Sequence, residues 1–121
     1  MAIAGIGVDI VDIARLEDAL RRTPDLAARL FTAAERASAS RSSSLAGCFA
    51  AKEALAKALG APAGLRWTDA EVGHDAAGKP SLTVRGTVAT AAARHGVTAW
   101  HLSLTHDGGM CVAIVVAERA S

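Results

Sequence analysis

An α+β fold, a mostly antiparallel sheet packed with helices, is predicted by three features of this sequence. Its 121 residues suit one domain spanning residues 1–121, with one core. A β-branched, glycine-punctuated segment opens the chain, and two β-rich segments close it around the turn sequence Asp107-Gly108-Gly109. Between them lies an alanine-rich stretch with helical stop signals at Gly60 and Pro62.

Taken in order, residues 3–10 read as a strand with its polar end at Asp9, and a 3.6-residue pattern then predicts a helix over 12–22. Thr23-Pro24 supplies a cap and a first-turn proline for a short helix through Leu30 and Phe31. Thr32-Ala33-Ala34-Glu35 is a capping box for another. The serine-rich run 37–44 lacks apolar periodicity and reads as a mobile loop inside the domain. A helix follows over 45–59, carrying Leu45, Phe49, Leu55 and Leu59. Residues 67–74 and 81–85 read as a hairpin around the turn 75–80, and 86–95 as a short helix closed by Gly96. Strands over 98–105 and 110–118 complete the sheet. Both faces of the last strand are apolar, so helices must cover one and a partner subunit is expected on the other.

Composition narrows the function. With 51% hydrophobic and 21% charged residues the chain folds, although two Phe and two Trp make a thin core that partner subunits would reinforce. A formal charge of +1 offers no field for nucleic acid or an anionic membrane surface. Neither a basic leader nor an apolar run of about 18 residues is present, so no membrane span is expected. Cys48 and Cys111 form no metal or disulfide spacing, which points to the reducing cytoplasm.

Two groups of residues carry possible chemistry. Asp9 ends an apolar strand, while Glu53 and Lys57 share a helix face at a spacing of four. The trio suits either an ordinary surface ion pair or a magnesium site with a phosphate-binding lysine, because magnesium needs only one or two carboxylates besides water and phosphate. The second group, His101, Ser103 and Thr105, lies on one strand face, with His106 and Asp107 at the strand end. A solvated face ending in a turn explains it equally well, and residues so nearly adjacent cannot adopt the geometry of a hydrolase triad. His74 and His95 read as surface residues and Cys111 as core.

In order and spacing, Gly5-Ile6-Gly7-Val8-Asp9-Ile10-Val11, Phe31-Thr32-Ala33-Ala34-Glu35, Phe49-Ala50-Ala51-Lys52-Glu53-Ala54-Leu55-Ala56-Lys57-Ala58-Leu59-Gly60, Gly78-Lys79-Pro80 and His101-Leu102-Ser103-Leu104-Thr105-His106 resemble one family, holo-acyl-carrier-protein synthase. The resemblance covers nearly the whole chain. It implies magnesium-dependent transfer of 4′-phosphopantetheine from coenzyme A to a serine of an acyl carrier protein of fatty-acid or polyketide synthesis, releasing adenosine 3′,5′-bisphosphate. On that analogy Asp9 and Glu53 hold the metal, Lys57 adds a positive charge, and Glu53 is the candidate base, with His106 and Asp107 as rivals. Lys79 and Pro80 fall near the adenine, and Ser103, Thr105 and His106 along the nucleotide cleft. Arg15, with Arg21 or Arg22, would dock the acidic carrier protein. The family assembles as a homotrimer with active sites between subunits.

The chain departs from the family's pattern at Cys48, where an arginine facing the coenzyme A phosphates is common. Arg41 or Lys52 is the expected substitute for it. The alternative reading built on Cys48 is a catalytically impaired trimeric module that binds coenzyme A or the carrier protein.

Overall fold

The structure is a computed structural model and describes residues 1–38 and 42–120. Strands β1 (Ala2–Asp12), β4 (Val97–Asp107) and β5 (Met110–Arg119) form one antiparallel sheet in the order β1-β5-β4. A second sheet pairs β2 (Ala70–His74) with β3 (Pro80–Val84). Five helices accompany them: α1 (Ile13–Arg22), α2 (Leu26–Leu30), α3 (Ala33–Ser38), α4 (Ser42–Ala58) and α5 (Gly86–Arg94). The α+β, antiparallel expectation is met.

The core lies between α4 and the three-stranded sheet. Ala46, Ala50, Ala51, Ala54 and Leu55 on the helix meet Ala113, Val115 and Ala117 on β5, all buried. Small side chains on both sides bring helix and sheet close, and the closest approach is made through glycine. A Cβ on Gly5 would lie 1.9 Å from the Ala58 carbonyl oxygen, and one on Gly7 would lie 1.7 Å from that of Ala54. Two strand residues advance about 6.8 Å and four helix residues about 6.0 Å, so the two contacts stay in step and point β1 along the helix toward Glu53.

Several boundaries differ from expectation. β1 runs on to Asp12 because Ile10 and Val11 pair with Val112 and Cys111, and the Asp12 carboxylate then caps α1 by accepting from the Arg15 backbone N–H at 3.0 Å. Thr23 ends α1 rather than starting α2; its N–H donates to Ala19 and its carbonyl closes a turn with Leu26, where α2 begins. The capping box forms, with Glu35 N–H donating to Thr32 Oγ1 at 3.1 Å and Thr32 N–H to Glu35 Oε1 at 2.8 Å. Of the expected loop 37–44, α3 takes residues to Ser38 and α4 begins at Ser42; Arg41 lies outside the described residues. Trp67–Asp69 is a 3-10 turn rather than strand, closed by the Asp69 N–H to Arg66, and the Asp69 carboxylate accepts from the N–H and hydroxyl of Thr87 at the start of α5.

Among the described residues no helix covers the sheet's other face. Ile3, Ile6, Val8 and Ile10 of β1 and Ile114 of β5 are exposed there, while Cys111, Ala113, Val115 and Ala117 alternate toward α4. Beside them His101 Nε2 meets Glu118 Oε1 at 2.9 Å.

Candidate active site

On β1, Asp9 pairs with Ala113, whose side chain is buried against α4, so the Asp9 carboxylate shares the helix side of the sheet. One turn separates Glu53 from Lys57 on α4. Lys57 Nζ donates to Asp9 Oδ1 at 2.9 Å and to the Val8 carbonyl at 3.2 Å. The hydrogen bond it donates to Asp9, then the Asp9 charge, hold the Lys57 ammonium above its ordinary pKa. Burial, and next the Asp9 charge, push the Glu53 carboxyl up, with Lys57 opposing. Two carboxylates therefore share a site that one lysine only partly neutralises.

This pair is a chemically reasonable seat for a divalent cation. Hard oxygen donors suit magnesium, and a dication would relieve the repulsion that raises Glu53. Among the described residues no cluster of three acidic, histidine or cysteine ligands exists, so the remaining ligands would be water and substrate phosphate.

Two clefts meet at Glu53. The first, of about 430 Å³, is lined by Asp9, Glu53, Phe49, Arg15 and the apolar side chains of Leu16, Leu26 and Leu30. The second, of about 270 Å³, runs past Ala56, Pro62, Leu65, Arg66 and Trp67. Phe49 and Trp67 touch across the divide, with ring centroids 5.4 Å apart.

Of the docking candidates, Arg15 lines the first cleft. Arg21 and Arg22 lie farther along α1 and both pair with Asp18, at 3.3 and 3.0 Å. Lys79 and Pro80 border a separate groove of about 480 Å³ with Trp100 and His101. His106 lies in register with Cys111 and Val11, and Asp107 with Met110 and Asp12, two strand spacings or about 9.6 Å from β1. Ser103 and Thr105 pair with Ile114 and Val112 and so project from the helix-free face. Within one chain they do not join Asp9 and Glu53.

Two expectations are corrected. Lys52 is not available to coenzyme A phosphates: its ammonium is buried and donates to Glu35 Oε1 at 2.6 Å, the Leu30 carbonyl at 2.7 Å and the Trp67 carbonyl at 3.0 Å, which uses all three protons. Cys48 does not face an open phosphate path: it is 7% exposed, and burial, with Glu35 nearby, pushes its thiol up to about 12. Glu35 is the residue that sequence reasoning undervalued, since it gave this acid a capping role alone. A lysine inside an alanine-rich, core-facing helix was the available signal, because a buried ammonium requires an anion.

A family model described as the 4′-phosphopantetheinyl transferase superfamily matches residues 5–115. A holo-[acyl-carrier-protein] synthase of Frankia casuarinae is 61% identical over 118 residues, covering 98% of this chain and 99% of that one. The crystal structure of the Helicobacter pylori holo-[acyl-carrier-protein] synthase in complex with coenzyme A superposes with a TM-score of 0.83 at 32% identity, over 93% of this chain and 99% of the other. A holo-(acyl-carrier-protein) synthase from Bacillus anthracis, in complex with coenzyme A (3′,5′-ADP), gives 0.78 at 35% identity over 98% of each chain.

Proposed function

The chain belongs to the holo-[acyl-carrier-protein] synthases of the 4′-phosphopantetheinyl transferase superfamily, and from that premise we propose how its residues divide the work. The reaction transfers 4′-phosphopantetheine from coenzyme A to a serine of apo acyl carrier protein. The serine oxygen bonds to the phosphorus that bears the pantetheine, the pyrophosphate P–O bond breaks, and adenosine 3′,5′-bisphosphate leaves. One observation carries the assignment of residues: Lys57 grips Asp9 at 2.9 Å while Asp9 and burial raise the Glu53 carboxyl beside them.

Asp9 and Glu53 are the residues that would hold magnesium. Bound there, the ion supplies charge neutralisation at the pyrophosphate. Lys57 fixes the Asp9 carboxylate and adds a positive charge toward the phosphates. Glu53 is the preferred base for the serine proton because it lines both clefts at the site, whereas His106 and Asp107 lie on the far edge strand. Arg15, in the cleft of Asp9 and Glu53, is the leading contact for an acidic carrier protein, with Arg21 and Arg22 at its margin.

The helix-free sheet face supports a homotrimer whose active sites lie between subunits. Exposed Ile6, Val8, Ile10 and Ile114 need cover, and Ser103 and Thr105, on that open face, reach a coenzyme A beside Asp9 and Glu53 only from another copy; His106, at the strand end, is assigned to the same nucleotide cleft. Lys79 and Pro80 are then assigned to the adenine end. A cytoplasmic setting suits two buried, reduced cysteines, and among the described residues no helix is long and apolar enough to cross a membrane.

Mass spectrometry of an apo carrier protein incubated with the chain, coenzyme A and magnesium tests this reading, with Asp9→Ala and Glu53→Ala alongside. A phosphopantetheine mass gain lost in both variants is the expected result. Transfer that persists undiminished in either would overturn the assignment of the acid pair.

A further inference from the structure

Glu35 and Lys52 are the two buried charged residues among those described, at 1% and 2% exposure. Three protons of the ammonium meet three acceptors: Glu35 Oε1, the Leu30 carbonyl and the Trp67 carbonyl. The Glu35 carboxylate also accepts the backbone N–H groups of Thr32 and Val72, each at 2.8 Å. This single pair therefore ties together the end of α2, the start of α3, the middle of α4, the 3-10 turn and β2.

Leu30 lines the cleft that holds Asp9, Trp67 lines the other, and Glu53 lines both. Lys52 precedes Glu53 in the chain, so its bonds run inward to the two walls between which Glu53 projects. Burying such charges costs desolvation that a well-packed apolar pair would avoid. What the ion pair supplies instead is a fixed set of directions: shortening or removing either partner releases two backbone carbonyls or two backbone amides together.

We propose that the Glu35–Lys52 pair is a positioning unit for the transfer, holding the Leu30 and Trp67 backbones on either side of Glu53 and thereby setting where the Glu53 carboxylate stands relative to Asp9. The inference rests on the role given to Glu53 above. Neither residue touches substrate; both act through Glu53.

The test compares Lys52→Met and Glu35→Asp with the parent and with Val115→Ala, a core variant outside the hub. Glu35→Asp keeps the charge and the fold's ionic character while withdrawing the carboxylate by one methylene, so it remains informative where Lys52→Met fails to fold. Thermal melting, kcat, KM for coenzyme A and magnesium affinity by calorimetry are measured well below each melting point. Positioning predicts a kcat lowered roughly tenfold to hundredfold in both hub variants, with magnesium affinity reduced as well, while Val115→Ala loses melting temperature and keeps its kcat. Trimethylamine N-oxide should raise the melting point of the hub variants without returning kcat. The proposal is overturned if kcat per folded molecule in Glu35→Asp matches the parent, or if it returns with stability. A parent that transfers nothing overturns the assigned reaction instead, and the magnesium affinities of parent and Glu35→Asp still decide the positioning.

Discussion

Replacing Gly7 by alanine should separate β1 from α4 and disable the site without touching any of its side chains. The new Cβ would stand 1.7 Å from the Ala54 carbonyl oxygen and 2.8 Å from both the Ala54 carbonyl carbon and the Ala58 nitrogen. All three are helix backbone, which cannot rotate aside. Ordinary contact begins at 3.4 Å, so strand and helix must part by about as much as the present gap. Overpacking of this kind costs about 1 to 3 kcal/mol, and its rigid neighbours put this case at the upper end. For a chain of this length about 3 kcal/mol corresponds to a melting point lower by roughly 10 °C. Lys57 Nζ, now 2.9 Å from Asp9 and 3.2 Å from the Val8 carbonyl, would move out of reach of both. Transfer should fall on the order of tenfold or more, equivalent to about 1.4 kcal/mol of barrier. Gly73→Ala is the control, since its Cβ meets only the rotatable Ser81 hydroxyl at 3.4 Å. Gly7→Ala with the parent's melting curve and rate would refute the close-approach argument; a large melting shift with full activity would confine it to packing.

Other consequences are open to direct measurement. Because burial and Asp9 raise the Glu53 carboxyl, magnesium binding must displace a proton as pH falls toward that raised value; calorimetry in buffers of different ionisation enthalpy should show proton release that grows as the pH is lowered and fades as it is raised. The sign for stability is the reverse: the raised group contributes stability below its unfolded pKa of about 4.3, and that contribution is lost as pH rises through the folded value, so magnesium should stabilise the protein more at neutral pH than in acid. Lys57→Met should leave the melting point close to the parent's, its side chain being half exposed, yet lower transfer at least about tenfold; a rate equal to the parent's would remove Lys57 from the mechanism. Ile6→Asp places a charge on the open apolar face and should yield monomers by light scattering with transfer lost, whereas an unchanged assembly would show that this face is not the interface. Cys48, with its thiol pushed up to about 12, should resist Ellman's reagent at about pH 8 until the protein unfolds; stoichiometric reaction of the native protein would contradict its burial.

Much of the fold is written locally in the sequence. The capping box at Thr32 and Glu35, the Asp75 turn that accepts from Ala77 and Lys79, and the glycine stop after α4 all act over three or four residues. Misplaced boundaries arose where a competing hydrogen bond, local or tertiary, overrode the expected signal. Thr23-Pro24 carries the signature of a helix start, but the Thr23 N–H is drawn back to Ala19 and α2 waits until Leu26. Residues 67–69 alternate like a strand, yet Asp69 is needed at the head of α5, where Thr87 donates to it twice, and the chain turns to deliver it. Val11 and Asp12 could extend β1 past its expected end at Ile10 only because β5 supplies Cys111 and Met110 in register, which periodicity does not encode.

The site divides along the same line. Asp9, Glu53 and Lys57 were legible because two of them sit four apart on one helix and the third is the acid that breaks an apolar strand, which the structure continues past it to Asp12 and whose glycines admit that helix closely. Lys52 was expected to stand in for the arginine absent at Cys48, but successive helix residues point about 100° apart, and Lys52 turns into the core while Glu53 faces the cleft. The polar strand residues give the deepest reason for what one sequence withholds. Ser103 and Thr105 alternate onto the face opposite α4, and no rotamer carries a strand side chain through its own sheet. If they contact coenzyme A held by Asp9 and Glu53, they do so in a neighbouring copy, and the open isoleucine face and the polar row beside it would then be one feature, a surface that both assembles the proposed trimer and completes its active site.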